Sequence, residues 1–116
     1  MNDHYTMITG LRGWAASCDA FTRAAVDLLV DHDHWLWDLK FVQRCVHVND
    51  HDVPFINWMA VEQLLKNGQH PASGSELAVL RLALMLARDL FGLSSLDRVN
   101  RGHVVDAVAA ALDVTR

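Results

Sequence analysis

The stretch from Ser73 to Phe91, SGSELAVLRLALMLARDLF, decides the fold of this chain. It opens with a capping box, in which the oxygen of Ser73 accepts an amide proton and Glu76 reaches back to the serine amide. Beyond that opening, apolar side chains cover nearly the whole circumference of a helix, and only two arginines and one aspartate interrupt them. A helix that is apolar almost all round is buried among other elements. The stretch therefore predicts a central helix over about residues 75–91.

The segments around this helix carry helical periodicity and are joined by short polar linkers. Further helices are expected from residue 17 or 19 to 31, from 34 to 48, from 52 to 67 and from 100 to 112, with a short helical turn over 93–99. Residues 1–16 contain two glycines that disfavour a helix, so a loosely ordered arm, or a short helical arm that carries Leu11 and Trp14, is expected there. In the last helix, the side chains expected to face inward are Val104, Val105, Val108 and Leu112.

This organisation predicts an all-α fold. Since linkers are short and no β-hairpin signal stands out, we expect a compact bundle of five to six helices around the central apolar helix. The bundle is expected to form a single helical domain over residues 1–116. Apolar residues make up 52% of the chain even without its six glycines, above the roughly 45–50% that soluble domains reach with glycine included. This excess favours a buried interface between two copies, so a homodimer is expected.

Charge and cysteine content narrow the function classes. The net charge is −4. Residues 1–64 hold nine acids against four bases, a balance of −5, and residues 65–116 hold five acids against six bases, a balance of +1. Nucleic-acid binders usually carry a basic patch, so nucleic acid is not expected as the main partner. Two isolated cysteines, no secretory leader and no apolar run long enough to span a membrane predict a cytoplasmic protein.

The predicted helix over residues 34–48 supplies the candidate partner-binding site. Its core side is defined by Trp35, Leu39, Val42 and Val46 at 4-3-4 spacing. On the other side, Trp37, Phe41 and Arg44 form a second stripe at i, i+4 and i+7. Tryptophan and arginine are enriched in binding hot spots, and phenylalanine is enriched at interfaces. The stripe therefore predicts an interface with a second copy or another protein, unless the helix is sandwiched with both faces in one core.

A histidine-rich segment offers an alternative function. His47 and His51 are four residues apart, the spacing at which two imidazoles can bind one zinc ion. Asp50 and Asp52 lie beside them as further oxygen ligands. However, the local asparagine and aspartates favour turns and caps over a continuous helix. The main interpretation is therefore a polar loop without a metal or cofactor, and metal binding or metal-dependent chemistry is kept as the alternative.

Catalytic and DNA-reading motifs are weak. No nucleophile, base and orienting group occur in a recognisable local signature, so no catalytic or cofactor-binding residue is predicted and a non-catalytic role is favoured. A helix-turn-helix over residues 86–112 would place Arg88 and Arg98 where small or buried residues are needed. A DNA-binding accessory role is therefore only the third hypothesis.

Several short motifs in the C-terminal half carry a family resemblance. They are Phe55-Ile56-Asn57-Trp58, then Ala72-Ser73-Gly74-Ser75-Glu76 with Leu80 and Ala83, and finally Leu96-Asp97-x-x-Asn100. In these motifs the chain resembles short uncharacterised helical proteins of actinobacteria and their phages. The resemblance implies no activity, but it favours a small accessory protein encoded by a phage or its host.

Together these observations predict a small, non-catalytic protein-interaction module that self-associates and modulates another protein.

Overall fold

The computed structural model describes residues 3–68 and 70–114 and confirms the all-α class. The six α-helices of these residues are α1 (His4–Ala16), α2 (Ala20–His32), α3 (Leu39–Cys45), α4 (Trp58–Asn67), α5 (Gly74–Ala87) and α6 (Arg98–Ala111). Two 3₁₀ helices, Trp35–Trp37 and Leu93–Ser95, and one small hairpin of β1 (Val46–Val48) and β2 (Pro54–Ile56) complete the described part of the chain. None of the helices in these two ranges is both long and apolar enough to cross a membrane.

Side-chain caps set the start of every α-helix. Each capping side chain accepts a hydrogen bond from the backbone amide three residues further on, which satisfies an otherwise unpaired donor of the first turn. The caps are Asp3, Asp19, Asp38, Asn57, Ser73 and Asp97. At α5 the predicted capping box is confirmed, because the Glu76 carboxylate also accepts the Ser73 amide at 2.8 Å. Much of the acidic character of this chain therefore serves helix initiation.

The core lies between α5, α2, α1, α3 and α4. Its largest fully buried side chains are Trp35, Phe41, Leu11, Leu29, Leu64 and Leu80. The Trp35 indole donates its Nε1 hydrogen to the backbone oxygen of Glu76 at 3.0 Å. This bond joins the loop after α2 to the first turn of α5, so a buried indole keeps its polar atom satisfied.

Helix α5 packs on α2 and α4 but is shorter and less enclosed than predicted. It ends at Ala87 instead of Phe91, because Asp89 takes a left-handed conformation and uses its carboxylate to accept the amide of Leu93. Only one side of α5 reaches the core, and Leu82 on another side is 44% exposed. The expectation that neighbours surround this helix on all sides is therefore wrong for the described part of the chain.

The N-terminal segment is an ordered helix and not a loose arm. Leu11 and Ala15 of α1 are buried in the core. Gly10 has a direct packing reason, because a Cβ atom there would lie 2.5 Å from Cγ of Pro54 in β2. The glycine thus lets the helix backbone rest against the hairpin. The low helix propensity of glycine argued against a helix here, and the close contact between Gly10 and Pro54 could not be inferred from local sequence.

The hairpin replaces what the sequence analysis assigned to two helix ends. Strands β1 and β2 are antiparallel, with Val46 opposite Ile56 and Val48 opposite Pro54. Asn49 closes the turn, since its side-chain oxygen accepts the backbone amides of His51 and Val53. Val-His-Val alternates and precedes turn-forming residues, but its three residues are fewer than the roughly four to eight of a usual strand signal. The helical spacing before it therefore predicted a helix through this segment.

The predicted helix over residues 34–48 is divided at Asp38. A 3₁₀ turn precedes Asp38, whose carboxylate then accepts the amide of Phe41 and starts α3. This restart shifts the helical phase, so Phe41 and Cys45 face the core. Leu39, predicted to be buried, is 69% exposed.

Helix α6 differs from the other five in having no buried residue. The prediction that Val104, Val105, Val108 and Leu112 face the interior is wrong. Val104 is half-buried, and the other three are exposed. The spacing correctly placed an apolar face on this helix, but the described part of the chain does not cover that face.

Candidate functional site

The predicted partner-binding stripe does not exist as one surface. Trp37 lies in the 3₁₀ turn before Asp38 and is 52% exposed, whereas Phe41 is fully buried in α3. Arg44 is exposed in the last turn of α3. The i, i+4, i+7 relation holds only in a continuous helix, and the restart at Asp38 breaks it. Phe41 therefore belongs to the core, and of the two aromatic residues only Trp37 is available to a partner.

Trp37 is held in place by polar and aromatic contacts. Its Nε1 donates to the carboxylate of Asp33 at 2.6 Å. The ring of His4 stacks on the indole with centroids 3.4 Å apart and planes 14° apart. Tyr5 meets the indole edge to face at 6.2 Å. Contacts on its edge and face fix the orientation of the exposed indole, which lowers the entropy lost when a partner binds.

Next to Trp37 lies a cleft of about 420 Å³ between α1, α3 and the hairpin. We call it the Trp37 cleft. Its apolar surface comes mainly from Leu36, Leu39, Val42, Val46, Val48 and Pro54. Leu39 and Val48 in this lining are exposed. Neither residue was predicted as part of a surface site, because the 4-3-4 spacing assigned Leu39 to the core and Val48 was expected at the end of the same helix.

Two aspartates give the Trp37 cleft an acidic rim. Asp3 and Asp52 line the cleft, and the described lining residues include no lysine or arginine. The hydrogen bonds from the Thr6 amide and hydroxyl lower the pKa of Asp3, so this exposed carboxylate stays ionised at neutral pH. Such a cleft favours a ligand that brings a positive charge together with apolar groups.

A second, larger cavity lies between the outer side of α5 and the apolar side of α6. It has a volume of about 660 Å³, and we call it the C-terminal groove. Every described residue that lines it is apolar, and among them are Leu82, Leu86, Phe91, Val105, Val108 and Leu112. Five of these apolar side chains, those of Leu82, Phe91, Val105, Val108 and Leu112, are exposed. Apolar side chains left open to solvent side by side are typical of an interaction site.

Polar pairs flank the buried Trp35 side chain. His70 Nε2 lies 2.7 Å from Oδ2 of Asp38, and His34 Nδ1 lies 3.2 Å from Oε2 of Glu76. Partial burial raises the pKa of Asp38, but hydrogen bonds from His70 and from the Phe41 amide outweigh it and lower the pKa overall. The His70–Asp38 pair satisfies polar groups at the edge of the core. Nε2 of His34, by contrast, is buried and has no hydrogen-bond partner among the described residues. The pairs therefore support the packing around Trp35 without satisfying every polar atom there.

The residues predicted as metal candidates do not come together. His47 in β1 uses both ring nitrogens, since Nε2 lies 3.0 Å from the Arg44 carbonyl oxygen and Nδ1 lies 3.3 Å from Nδ2 of Asn57. One neutral tautomer satisfies both contacts. Asp50, His51 and Asp52 lie in the exposed hairpin turn. Within residues 3–68 and 70–114, no group of three or more His, Cys, Asp or Glu side chains is placed to hold a metal ion.

The buried cysteine is unsuited to nucleophilic chemistry. Cys45 is fully enclosed, and burial raises its pKa to about 11. A thiol with this pKa stays protonated at neutral pH, and the thiolate is the reactive form. Cys45 therefore acts as a small core side chain.

Comparison with known proteins adds no relative from which a function could be transferred. No family model, curated protein or solved structure matches the chain. The two surfaces, together with the sequence, are therefore the basis for inferring a function.

Proposed function

We propose that this chain is a small, non-catalytic protein-interaction module that forms a homodimer and binds another protein. The observation that carries the proposal is the amount of apolar surface left open in the Trp37 cleft and the C-terminal groove. The proposal includes a cytoplasmic location, which fits the free thiols of Cys18 and Cys45, because thiols stay reduced in that compartment. Its resemblance to actinobacterial and phage proteins supports a role as a phage- or host-encoded modulator of its partner.

The binding partner occupies the Trp37 cleft with a basic and apolar segment. The cleft has the volume of a typical ligand pocket, which accommodates a few side chains of a peptide. Its rim is acidic, and the surrounding residues 1–64 carry a balance of −5. Long-range attraction speeds the encounter with a basic segment and disfavours acidic competitors. The immobilised indole of Trp37 then supplies a rigid apolar contact.

Panning a displayed library of random peptides on the immobilised protein tests this function. The expected result is enrichment of peptides that combine lysine or arginine with apolar residues. A selected peptide should bind Leu39→Lys at least 10-fold more weakly by fluorescence polarisation, because the new charge repels it and removes an apolar contact. Asp52→Asn should weaken binding less, since asparagine tolerates the left-handed conformation at this position (φ 59°) and only the charge is lost.

Met59→Lys is the matched control, because Met59 is exposed on α4 and does not line the cleft. This control should bind the peptide as tightly as the unmodified chain. Enriched peptides without a basic bias, or equal binding by Leu39→Lys and Met59→Lys, would contradict the proposed site.

A further inference from the structure

We infer that the C-terminal groove is filled by a second copy of this chain, in a two-fold dimer in which each α6 inserts between α5 and α6 of its partner. The inference rests on the self-association included in the proposed function, and it names the surface and the geometry. It is independent of the Trp37 cleft, which stays open to the other partner.

The first argument is that α6 is not packed into the core of its own chain. This helix has 14 residues and no buried side chain. Helices of this length are marginal in water unless an apolar face is packed against another element. Val104, Val105, Val108 and Leu112 share such a face at helical spacing, and all of them line the groove. A second helix in the groove would cover this face and the outer side of α5 together.

The second argument is charge. The groove lining contains no ionisable side chain, so a charged occupant would lose hydration without gaining a partner. The apolar side of α6 fits this groove, because it also consists of uncharged, apolar side chains. Residues 65–116 are also nearly neutral at +1, whereas residues 1–64 carry −5. Two copies would therefore repel each other through their N-terminal halves and not through their C-terminal halves.

The third argument is the area that the exchange buries. A 14-residue helix is about 21 Å long and about 10 Å wide, so embedding half of its circumference covers roughly 330 Å². In the exchanged dimer the apolar face of α6 is both the inserted face and one wall of the groove. Each copy therefore buries that face and the outer side of α5, roughly 500 Å² per copy and about 1,000 Å² in total, the lower limit for a specific interface. A foreign helix docked without exchange would bury roughly 650 Å² in total, below this limit.

Symmetry makes the arrangement self-limiting. A two-fold interface uses the same patch on both copies, so both grooves are filled and no apolar face is left to recruit a third copy. The alanines of α6, such as Ala109 in the groove lining, leave room for a second helix to approach closely.

The test uses charge complementation across the groove, with mass measured by size-exclusion chromatography and light scattering. The unmodified chain is expected to be a dimer at micromolar concentration. Leu82→Glu and Val105→Lys, each alone, should be monomers, since each buries an unpaired charge in a dry interface. Mixing the two variants should restore a dimer, because the exchanged geometry brings the two introduced charges together.

Met59→Glu is the matched control, since Met59 is an exposed apolar residue outside the groove. It should remain a dimer. Circular dichroism should show that Leu82→Glu and Val105→Lys keep most of the helical signal, because the core does not include α6.

The outcomes separate the two proposals. A monomeric unmodified chain would overturn both this inference and the self-association in the proposed function. A dimer that survives both substitutions, or variants that stay monomeric when mixed, would overturn the exchange of α6 and leave dimerisation through another face. Native mass spectrometry that finds an apolar small molecule bound to a monomer would also overturn it, because the groove would then be a ligand pocket.

Discussion

The N-terminal body, residues 3–68 and 70–87, and the C-terminal segment, residues 88–114, use their apolar residues in opposite ways, although α5 and α6 have the same length of 14 residues. The N-terminal body contains every core residue of the described chain, from Leu11 to Leu84. The C-terminal segment leaves Leu90, Phe91, Val108 and Leu112 exposed. This contrast shows that an apolar helix face predicts burial but does not identify the element that buries it. The covering element can belong to the same chain or to another molecule.

Replacing one phenylalanine in each region gives the largest expected difference in stability. Phe41→Ala should lower the free energy of unfolding by about 3–5 kcal/mol, because it opens a cavity beside Trp35. Phe91→Ala should change it by less than about 0.5 kcal/mol in the monomer, since Phe91 is 59% exposed. Urea denaturation of both variants in the monomeric Leu82→Glu background measures these values. An equal decrease in the free energy of unfolding for both variants would show that the two phenylalanines are packed to a similar degree, which would contradict the contrast between the two regions.

Alanine substitutions at two glycines of α1 test whether the tight packing of the N-terminal body includes this helix. Gly10→Ala should cost about 1–3 kcal/mol, because the added methyl group meets the ring of Pro54 and the helix must move away from the hairpin. Gly13→Ala is the control, since nothing lies within 4 Å of a Cβ atom there. It should stabilise the protein by up to about 1 kcal/mol through higher helix propensity.

Thermal and urea unfolding of both glycine variants provide the comparison. A neutral Gly10→Ala would mean that α1 can shift without cost, and α1 would then resemble the C-terminal segment more than the core.

The smallest expected effect concerns the polar pair beside Trp35. The pKa of Asp38 is lower in the folded protein than its usual 3.8. Its charged form therefore adds stability above pH 3.8, and this stability is lost as the pH falls below that value. Asp38→Asn keeps a cap for α3 but removes the charge, so it should cost about 1 kcal/mol at pH 7.

The urea midpoint measured from pH 7 to pH 2 checks this prediction. The difference between the two proteins should shrink as the solution becomes acidic. Parallel pH profiles would show that the charge of Asp38 contributes nothing to the N-terminal body.

Much of the local structure could be predicted from the sequence. The capping box at Ser73 and Glu76 starts a helix in the structure as expected. Local hydrogen bonds between residues three apart can be inferred from spacing alone. The division of the helix at Asp38 was missed because aspartate is tolerated in a helix, and its capping role depends on the loop before it. That single restart moved Phe41 into the core and Leu39 to the surface.

The candidate surfaces were harder to predict than the helices. Trp37, a candidate contact residue from the sequence, is 52% exposed in the structure. Several of its neighbours in the cleft come from α1 and the hairpin, and the sequence pattern did not connect these segments with Trp37. The short strand pair itself depends on contacts between residues up to ten positions apart. Hydrophobic periodicity carries no information about which distant segments meet.

The sequence alone was enough to predict the helical class, the starts of α2 and α5, and the presence of an apolar face on α5 and on α6. These properties follow from interactions within a few residues, namely capping hydrogen bonds and the 3.6-residue repeat. Only the tertiary structure decided which apolar faces are covered. Coverage depends on where the chain turns and which distant segments it brings together, and in this chain the turn at Asp89 leaves α6 outside the core.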